Sequence, residues 1–216
     1  CITDVVACGD PQSHQGYDYA TVLIGDQCWF AENLKAHSTH TGIELVLVET
    51  EEDWLANYDA GVPSICHPMF FSGFEDDYGV LYNLYAIINE AVCPLGWVVP
   101  SDADWMEMEV HLGLPPSVLT ISSERENYPI APLLKDSILW NGNNATGFTA
   151  VPAGEKSGHQ GFGSVGNSAS WLTTTQAAGY SSYIGRTLYD WTDHIGRGYY
   201  FERGGYSIRC IKDQDQ

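Results

Sequence analysis

Six cysteines at wide spacings limit the fold of this chain more than any other feature of its sequence. They are Cys1, Cys8, Cys28, Cys66, Cys93 and Cys210. Zinc sites built on cysteine usually show closely spaced CxxC pairs, and this sequence has none, so disulfide bonds are the better interpretation. Structural disulfides persist in oxidising compartments, which predicts a secreted or cell-surface protein.

Two of the expected bridges join distant parts of the chain. Cys93 precedes a proline and Cys210 lies in the last predicted strand, so a bridge between them would tie the middle of the chain to its end. Cys28 and Cys66 are expected to form the second pair. Both pairs predict a structural rather than a catalytic role for these thiols.

The N-terminal segment has a different character from the rest. Residues 1–15 carry glycine, proline and polar residues without periodicity, which indicates a linker or a small Cys1–Cys8 disulfide loop before a domain of residues 16–216. Because the chain begins at Cys1 without a start methionine, we expect a mature or excised product. The alternative is that Cys1 carries the lipid of a bacterial lipoprotein.

The charge balance excludes several classes of partner. Asp and Glu number 28 against 9 Lys and Arg, a formal net charge of -19. This charge repels nucleic-acid phosphates and anionic lipid headgroups. No stretch approaches the roughly 20 apolar residues of a membrane helix. We therefore expect no nucleic-acid binding and no membrane insertion, while divalent cations remain compatible with the charge.

Two regions predict antiparallel strands. Residues 17–30 alternate apolar and polar side chains around an interruption at Gly25, which is typical of a β-hairpin. Residues 199–210 predict two further strands across a turn at Gly204. With 44% hydrophobic residues, the chain has enough apolar material for a folded body.

Four segments predict helices, and the one over residues 132–137 has the weakest signal. Thr50 precedes three acidic residues and is expected to cap a short helix. Residues 81–91 place apolar side chains at helical spacing before Pro94. Ser101 and Asp104 form a capping box that predicts a helix of about three turns. Helices followed by short strands indicate an α+β domain.

Candidate metal ligands are few. The acidic run Glu75, Asp76 and Asp77 offers oxygen ligands for calcium, but it lacks the alternating ligands and central glycine of an EF-hand loop, and a solvated turn is the alternative. His37 and His40 are close in sequence without a neighbouring carboxylate or cysteine, which is weak support for a metal site. We therefore expect no cofactor, with calcium as the one ion that the acidic residues leave open.

No catalytic constellation is recognisable in the sequence. The glycine-rich residues 161–166 do not match the GxSxG elbow of serine hydrolases, and no phosphate-binding GxxxxGK[ST] motif occurs. Glu107 and Glu109 are two apart on a predicted helix and do not share a face, so they do not form a hydrolytic carboxylate pair. Asn144 begins a glycosylation sequon. We expect no enzymatic activity.

Several segments, in collinear order, resemble one protein family. Residues 19–34 read YATVLIGDQCWFAENL, residues 78–86 YGVLYNLYA, residues 93–105 CPLGWVVPSDADW, residues 147–154 GFTAVPAG and residues 205–210 GYSIRC. They resemble the motifs of the Fibrobacter succinogenes major paralogous domain, a family of bacterial surface and secreted proteins without an established activity. Leu84 stands where the family usually has Trp, and Val98 where it usually has His.

The resemblance also implies a fold. The family is similar to the formylglycine-generating-enzyme group, so we expect a C-type-lectin-like, sulfatase-modifying-factor-like domain with few helices, short antiparallel strands and long loops. The oxidase of that group uses two nearby cysteines before its last strand, whereas this chain has only Cys210 there, so oxidase activity is not expected. Trp191, Thr192 and Asp193 resemble the WND of calcium lectins, without an EPN-like partner.

Together these features favour a non-catalytic extracellular module of bacterial surfaces that serves adhesion, ligand binding or assembly. Its expected partners are other extracellular proteins, glycans or copies of itself. The alternatives are a structural subunit of an extracellular filament or matrix, and an enzyme with an unfamiliar site.

Overall fold

The computed structural model describes residues 7–88, 91–123, 125–159 and 161–214. Strands outnumber helices in these ranges, and most strands are short. The helices are α1 (Glu51–Asp59), α2 (Glu75–Tyr78), α3 (Leu84–Ile88), α4 (Asp102–His111) and α5 (Ala131–Leu134). Within the described ranges, every helix is too short or too polar to cross a lipid bilayer.

The strands form several small sheets. In the first half they are β1 (Gln12–His14), β2 (Tyr17–Tyr19), β3 (Thr21–Ile24), β4 (Gln27–Phe30), β5 (Val46–Leu47), β6 (Ser64–Cys66), β7 (Leu81–Asn83) and β8 (Trp97–Val98). In the second half they are β9 (Glu155–Lys156), β10 (Phe162–Gly163), β11 (Ser168–Gln176), β12 (Tyr183–Tyr189), β13 (Gly196–Tyr200), β14 (Gly205–Tyr206) and β15 (Ile211–Lys212). The sheet orders are β1-β2, β3-β4-β15-β8, β11-β12-β13 and β10-β9-β14-β7-β6-β5. The fold is therefore mostly β with few helices.

Both ends of the domain meet in one sheet. Strand β15 lies between β4 and β8, with Ile211 opposite Trp29. Beneath this sheet Trp29 joins an aromatic cluster with Trp105, Phe148 and Trp171, whose contacting rings have centroids 5.3–6.0 Å apart. Large buried rings contribute strongly to core stability, so this cluster holds the C-terminal strand against the N-terminal hairpin.

The local sequence signals are confirmed. Strands β3 and β4 form the predicted hairpin, whose turn contains Gly25 at φ +64. Thr50 caps α1 by accepting a hydrogen bond from the Asp53 amide. Ser101 and Asp104 form the reciprocal capping box at the start of α4. The two caps depend on residues three positions apart and the hairpin pairs residues at most nine apart, which is why sequence alone predicts them.

Two predicted elements differ from the structure. The helix predicted over 81–91 begins only at Leu84, because residues 81–83 form strand β7, which pairs with β6 and β14. The predicted C-terminal hairpin is wrong, because β13 pairs with β12 whereas β14 pairs with β7 and β9. A Cβ at Gly205 would lie 2.8 Å from the Trp54 ring, so this glycine permits α1 to pack closely against β14.

Two disulfide bonds link the described residues. The expected Cys93–Cys210 bridge is present, with Cα atoms 5.9 Å apart. The second bridge joins Cys8 to Cys28, so the predicted Cys28–Cys66 pair is wrong. Cys66 is a free, buried thiol. The two bridges are consistent with an extracellular protein.

The location of Cys66 explains the absence of the Cys28–Cys66 bond. Cys28 lies in β4, whereas Cys66 lies in β6, which belongs to a different sheet. There Cys66 packs with Trp54 and Leu81 in a small apolar cluster. Burial raises the pKa of its thiol, so Cys66 behaves as a core side chain rather than as a reactive thiolate.

The N-terminal segment packs against the domain. Because Cys8 is bonded to Cys28, the expected Cys1–Cys8 loop does not form. Residues 12–14 pair with β2 as β1, and the Gly9 amide donates a hydrogen bond to Thr21 Oγ1 at 2.8 Å. Cys1 lies outside the described residues, so its lipidation stays a prediction.

Five charged side chains form a network in the interior. Glu109 accepts hydrogen bonds from Arg125 and Arg186, with a closest distance of 2.6 Å to each. Asp102 accepts from Arg186 at 2.8 Å and from Arg197 at 2.7 Å. All five are buried. Because each carboxylate is shared by two guanidinium groups, the network connects α4 to β12 and β13.

The network predicts a pH dependence. Burial alone raises the pKa of Asp102, but Arg197 and Arg186 outweigh burial and hold this pKa below its usual value. The ionised Asp102 carboxylate therefore contributes its full stabilisation above the pKa of about 3.9 that Asp has in the unfolded chain. This contribution is lost as the pH falls through the pKa of Asp102 in the folded protein. We expect the stability difference between wild type and Asp102→Asn, measured by urea denaturation, to shrink from about pH 5 to about pH 2. A constant difference would contradict this account.

Candidate functional site

The acidic run that sequence suggested for calcium is divided between two environments. Glu75, the first residue of α2, contacts two histidines. Asp76 and Asp77 instead line a pocket of about 240 Å³ together with Glu32 and Lys35. Calcium binding by Glu75, Asp76 and Asp77 stays a prediction. The contacts of Glu75 with two histidines suggest a different set of metal ligands.

Glu75, His37 and His67 converge, and we call these three residues the His–Glu cluster. His37 Nε2 lies 3.1 Å from Glu75 Oε1, and His67 Nε2 lies 2.6 Å from Glu75 Oε2. One ligand-capable atom from each side chain lies within 4.8 Å of the other two. The His67 side chain is buried, whereas His37 and Glu75 keep 37% and 30% of their side-chain surface. The cluster is therefore open to solvent on one side.

The backbone around each histidine is held by specific bonds. The His37 amide donates to Gln15 Oε1 at 3.1 Å, and its carbonyl accepts from the Leu45 amide at 2.8 Å. His67 directly follows β6, and the chain then passes through Met69 and Phe70 with φ of 56 and 54. The backbone of residues other than glycine rarely adopts this left-handed region, so tertiary contacts must hold the turn between His67 and Glu75.

Sequence reasoning grouped the wrong histidines. It considered His37 with His40, but His40 Nδ1 hydrogen-bonds the Cys93 carbonyl at 2.9 Å and does not belong to the cluster. His67 is distant from His37 in sequence and carries no spacing signal that connects the two. The turn between β6 and α2 brings His67 beside Glu75.

A second region, which we call the Trp191 groove, lies near the end of β12. It has a volume of about 730 Å³ and is lined by Glu126, Asn127, Pro129, Asp190, Trp191, Thr192, Asp193 and His194. Trp191 is 62% exposed and stacks on Tyr189, with ring centroids 4.4 Å apart and an interplanar angle of 27°. The stack presents a flat aromatic face beside polar side chains.

Two polar atoms of the groove residues are unsatisfied. Asp190 Oδ1 and His194 Nδ1 are buried and have no hydrogen-bond partner within the described part of the chain. Most buried polar atoms in proteins are hydrogen-bonded, so these two atoms are exceptions to the general rule. The sequence had indicated Trp191, Thr192 and Asp193 only through their likeness to a lectin motif, and the structure places all three in this groove.

The segments that resemble a known family meet elsewhere, around Asn33 and Arg209. Asn33 Oδ1 accepts hydrogen bonds from Trp171 Nε1 at 3.1 Å and from Arg209 at 2.9 Å. Arg209 also donates to the carbonyls of Phe148 and Thr149, and its guanidinium lies 4.2 Å from the Phe148 ring centroid. Both residues are buried. Asn33 and Arg209 therefore connect the shared motifs through the interior of the domain.

One comparison with known proteins gives a match. A family model described as the Fibrobacter succinogenes major domain matches residues 22–212. The matched range begins within β3 and ends at the last residue of β15, so it includes both the His–Glu cluster and the Trp191 groove. No curated protein and no solved structure matches the chain.

Proposed function

The chain belongs to the Fibrobacter succinogenes major domain family, and we propose that it is a non-catalytic extracellular module of a bacterial surface that binds a neutral glycan in the Trp191 groove. The observation that carries this proposal is the exposed, stacked indole of Trp191 beside a polar groove. A large exposed ring beside polar side chains favours a ligand with both apolar and polar faces.

The groove chemistry suits a sugar ring. Tyr189 stacks on the indole of Trp191 and restricts its motion. A ligand would therefore meet a rigid apolar platform, and little side-chain entropy would be lost on binding. Carboxylate and amide groups beside the platform can bond sugar hydroxyls, as polar groups commonly orient ligands in such sites. Glu126, Asp190 and Asp193 give the groove a negative charge, which disfavours anionic glycans.

The fold and location belong to the same proposal. We assign the domain a C-type-lectin-like, sulfatase-modifying-factor-like architecture, supported by long loops and by terminal strands that share a sheet. Two disulfide bonds support an extracellular location, either secreted or at the cell surface. Such folds place ligand contacts in loops, and Trp191 lies between β12 and β13.

A glycan array followed by titration calorimetry tests the proposal. We expect binding to at least one neutral glycan, and we expect Trp191→Ala to weaken this binding about tenfold or more, because a central Trp commonly dominates an interface. Tyr180→Ala is the matched control, since Tyr180 and Trp191 are both 62% exposed. The control should bind as wild type does.

Three results would contradict the glycan proposal. They are wild-type protein that binds no neutral glycan, a Trp191→Ala variant that binds as tightly as wild type, and equal losses in both variants. Large polymers in the purified protein would favour the filament-subunit alternative instead.

A further inference from the structure

We propose that His37, His67 and Glu75 form a binding site for a divalent transition metal ion, with zinc as the expected ion. The three ligand-capable atoms already lie within 4.8 Å of one another. This inference goes beyond glycan binding and does not depend on it, because the His–Glu cluster and the Trp191 groove share no residue.

The ligand-capable atoms lie close to the spacing that a tetrahedral ion requires. Zinc binds imidazole nitrogen and carboxylate oxygen at about 2.0–2.2 Å, which places neighbouring ligand atoms roughly 3.3 Å apart. The two Nε2-to-carboxylate distances in the cluster are 3.1 Å and 2.6 Å. Small rotations of His37 and Glu75 would open the space for the ion, and their partial exposure leaves room for such rotations.

The ligand set selects the type of metal. Two imidazoles and one carboxylate suit zinc and related transition metals, whereas calcium takes six to eight oxygen ligands. The formal net charge of -19 also favours approach of a cation.

The site would have an open coordination position. Three protein ligands leave one tetrahedral position for water, and the exposed side of His37 and Glu75 gives solvent access to it. The ligands come from three separate segments: the chain after β4, the turn after β6 and the start of α2. Bound metal would therefore cross-link these segments and stabilise the folded state.

Calorimetry and thermal unfolding of the tag-free, chelator-treated full chain test the site, with zinc, calcium and magnesium chlorides as probes. We expect one zinc ion per chain with a Kd below about 1 µM. At a hundredfold excess of zinc over Kd, the unfolding midpoint should rise by about 5–10 °C. Calcium and magnesium should give no comparable rise.

Matched variants identify the ligands. His37→Ala and Glu75→Gln should each weaken zinc binding about a hundredfold or more, because each removes one of three ligands. His40→Ala and Asp76→Asn are the controls: His40 is an exposed histidine of the same loop, and Asp76 is the carboxylate next to Glu75. Both controls should bind zinc with wild-type affinity.

The variants chosen preserve the fold. His37 and Glu75 are partly exposed, and Gln keeps the shape of Glu, so circular dichroism should show native spectra for both. The proposal is overturned if wild type shows no saturable zinc binding, if His37→Ala and Glu75→Gln bind as tightly as wild type, or if calcium binds more tightly than zinc. None of these results would alter the glycan measurements on Trp191→Ala.

Discussion

Replacing both Cys93 and Cys210 by alanine is expected to lower the free energy of unfolding by about 4–5 kcal/mol. The bridge spans a sequence separation of 117 residues, so it removes much conformational freedom from the unfolded chain. Both cysteines are fully buried, and the smaller alanine side chains add a packing loss to the entropic one. A change of this size is a large part of the stability of a typical domain.

The second disulfide supplies the comparison. The Cys8–Cys28 bridge has a sequence separation of only 20, and the chain-entropy model assigns such a loop about 3 kcal/mol. Urea denaturation of the two double variants, Cys93→Ala/Cys210→Ala and Cys8→Ala/Cys28→Ala, measures the difference directly. Equal losses, or a larger loss in the short-loop variant, would show that the length of the closed loop does not determine the effect.

The disulfides also show how far sequence reasoning reaches. The capping box of Ser101 and the hairpin turn at Gly25 were predictable because their partners lie within a few residues. The partner of Cys28 was not, since Cys8 and Cys66 were both compatible with sequence spacing. The tertiary structure decides between them, because it brings Cys8 to Cys28 and places Cys66 in an apolar cluster with Trp54 and Leu81.

The candidate metal site follows the same rule. His37 and Glu75 were each noticed in the sequence, but with the neighbours His40 and Asp76 rather than with each other. The cluster needs the β6 strand to place His67, and no periodic pattern encodes that placement. Ligands from separate segments become visible only when the tertiary structure is known.

The family motifs and the proposed ligand surface lie in different parts of the domain. Asn33 and Arg209 lie in motif segments and bond each other in the interior, so the resemblance identifies the frame of the domain. Trp191 lies outside those segments, in an exposed loop between two strands. Because a loop can change without disturbing the frame, members of one family can share this interior and bind different ligands.

Glu109→Gln is expected to destabilise the protein by about 3–5 kcal/mol. Both oxygens of Glu109 accept from Arg125, at 2.6 Å and 2.8 Å, and both also accept from Arg186. The neutral amide would remove the carboxylate that pairs with Arg125 among the described residues. It would leave Arg186 paired with Asp102, which also serves Arg197. Leaving a buried charge uncompensated costs far more than losing a surface ion pair.

Glu107→Gln is the matched control for this substitution, because Glu107 lies two residues earlier on α4 and is exposed. Its replacement should change the stability by less than about 0.5 kcal/mol. Urea denaturation of both variants at neutral pH gives the comparison, with the slope of the transition as a check that the unfolded states are alike. A Glu109→Gln variant as stable as Glu107→Gln would mean that Arg125 and Arg186 find other compensation, and that the network does not hold α4 against β12.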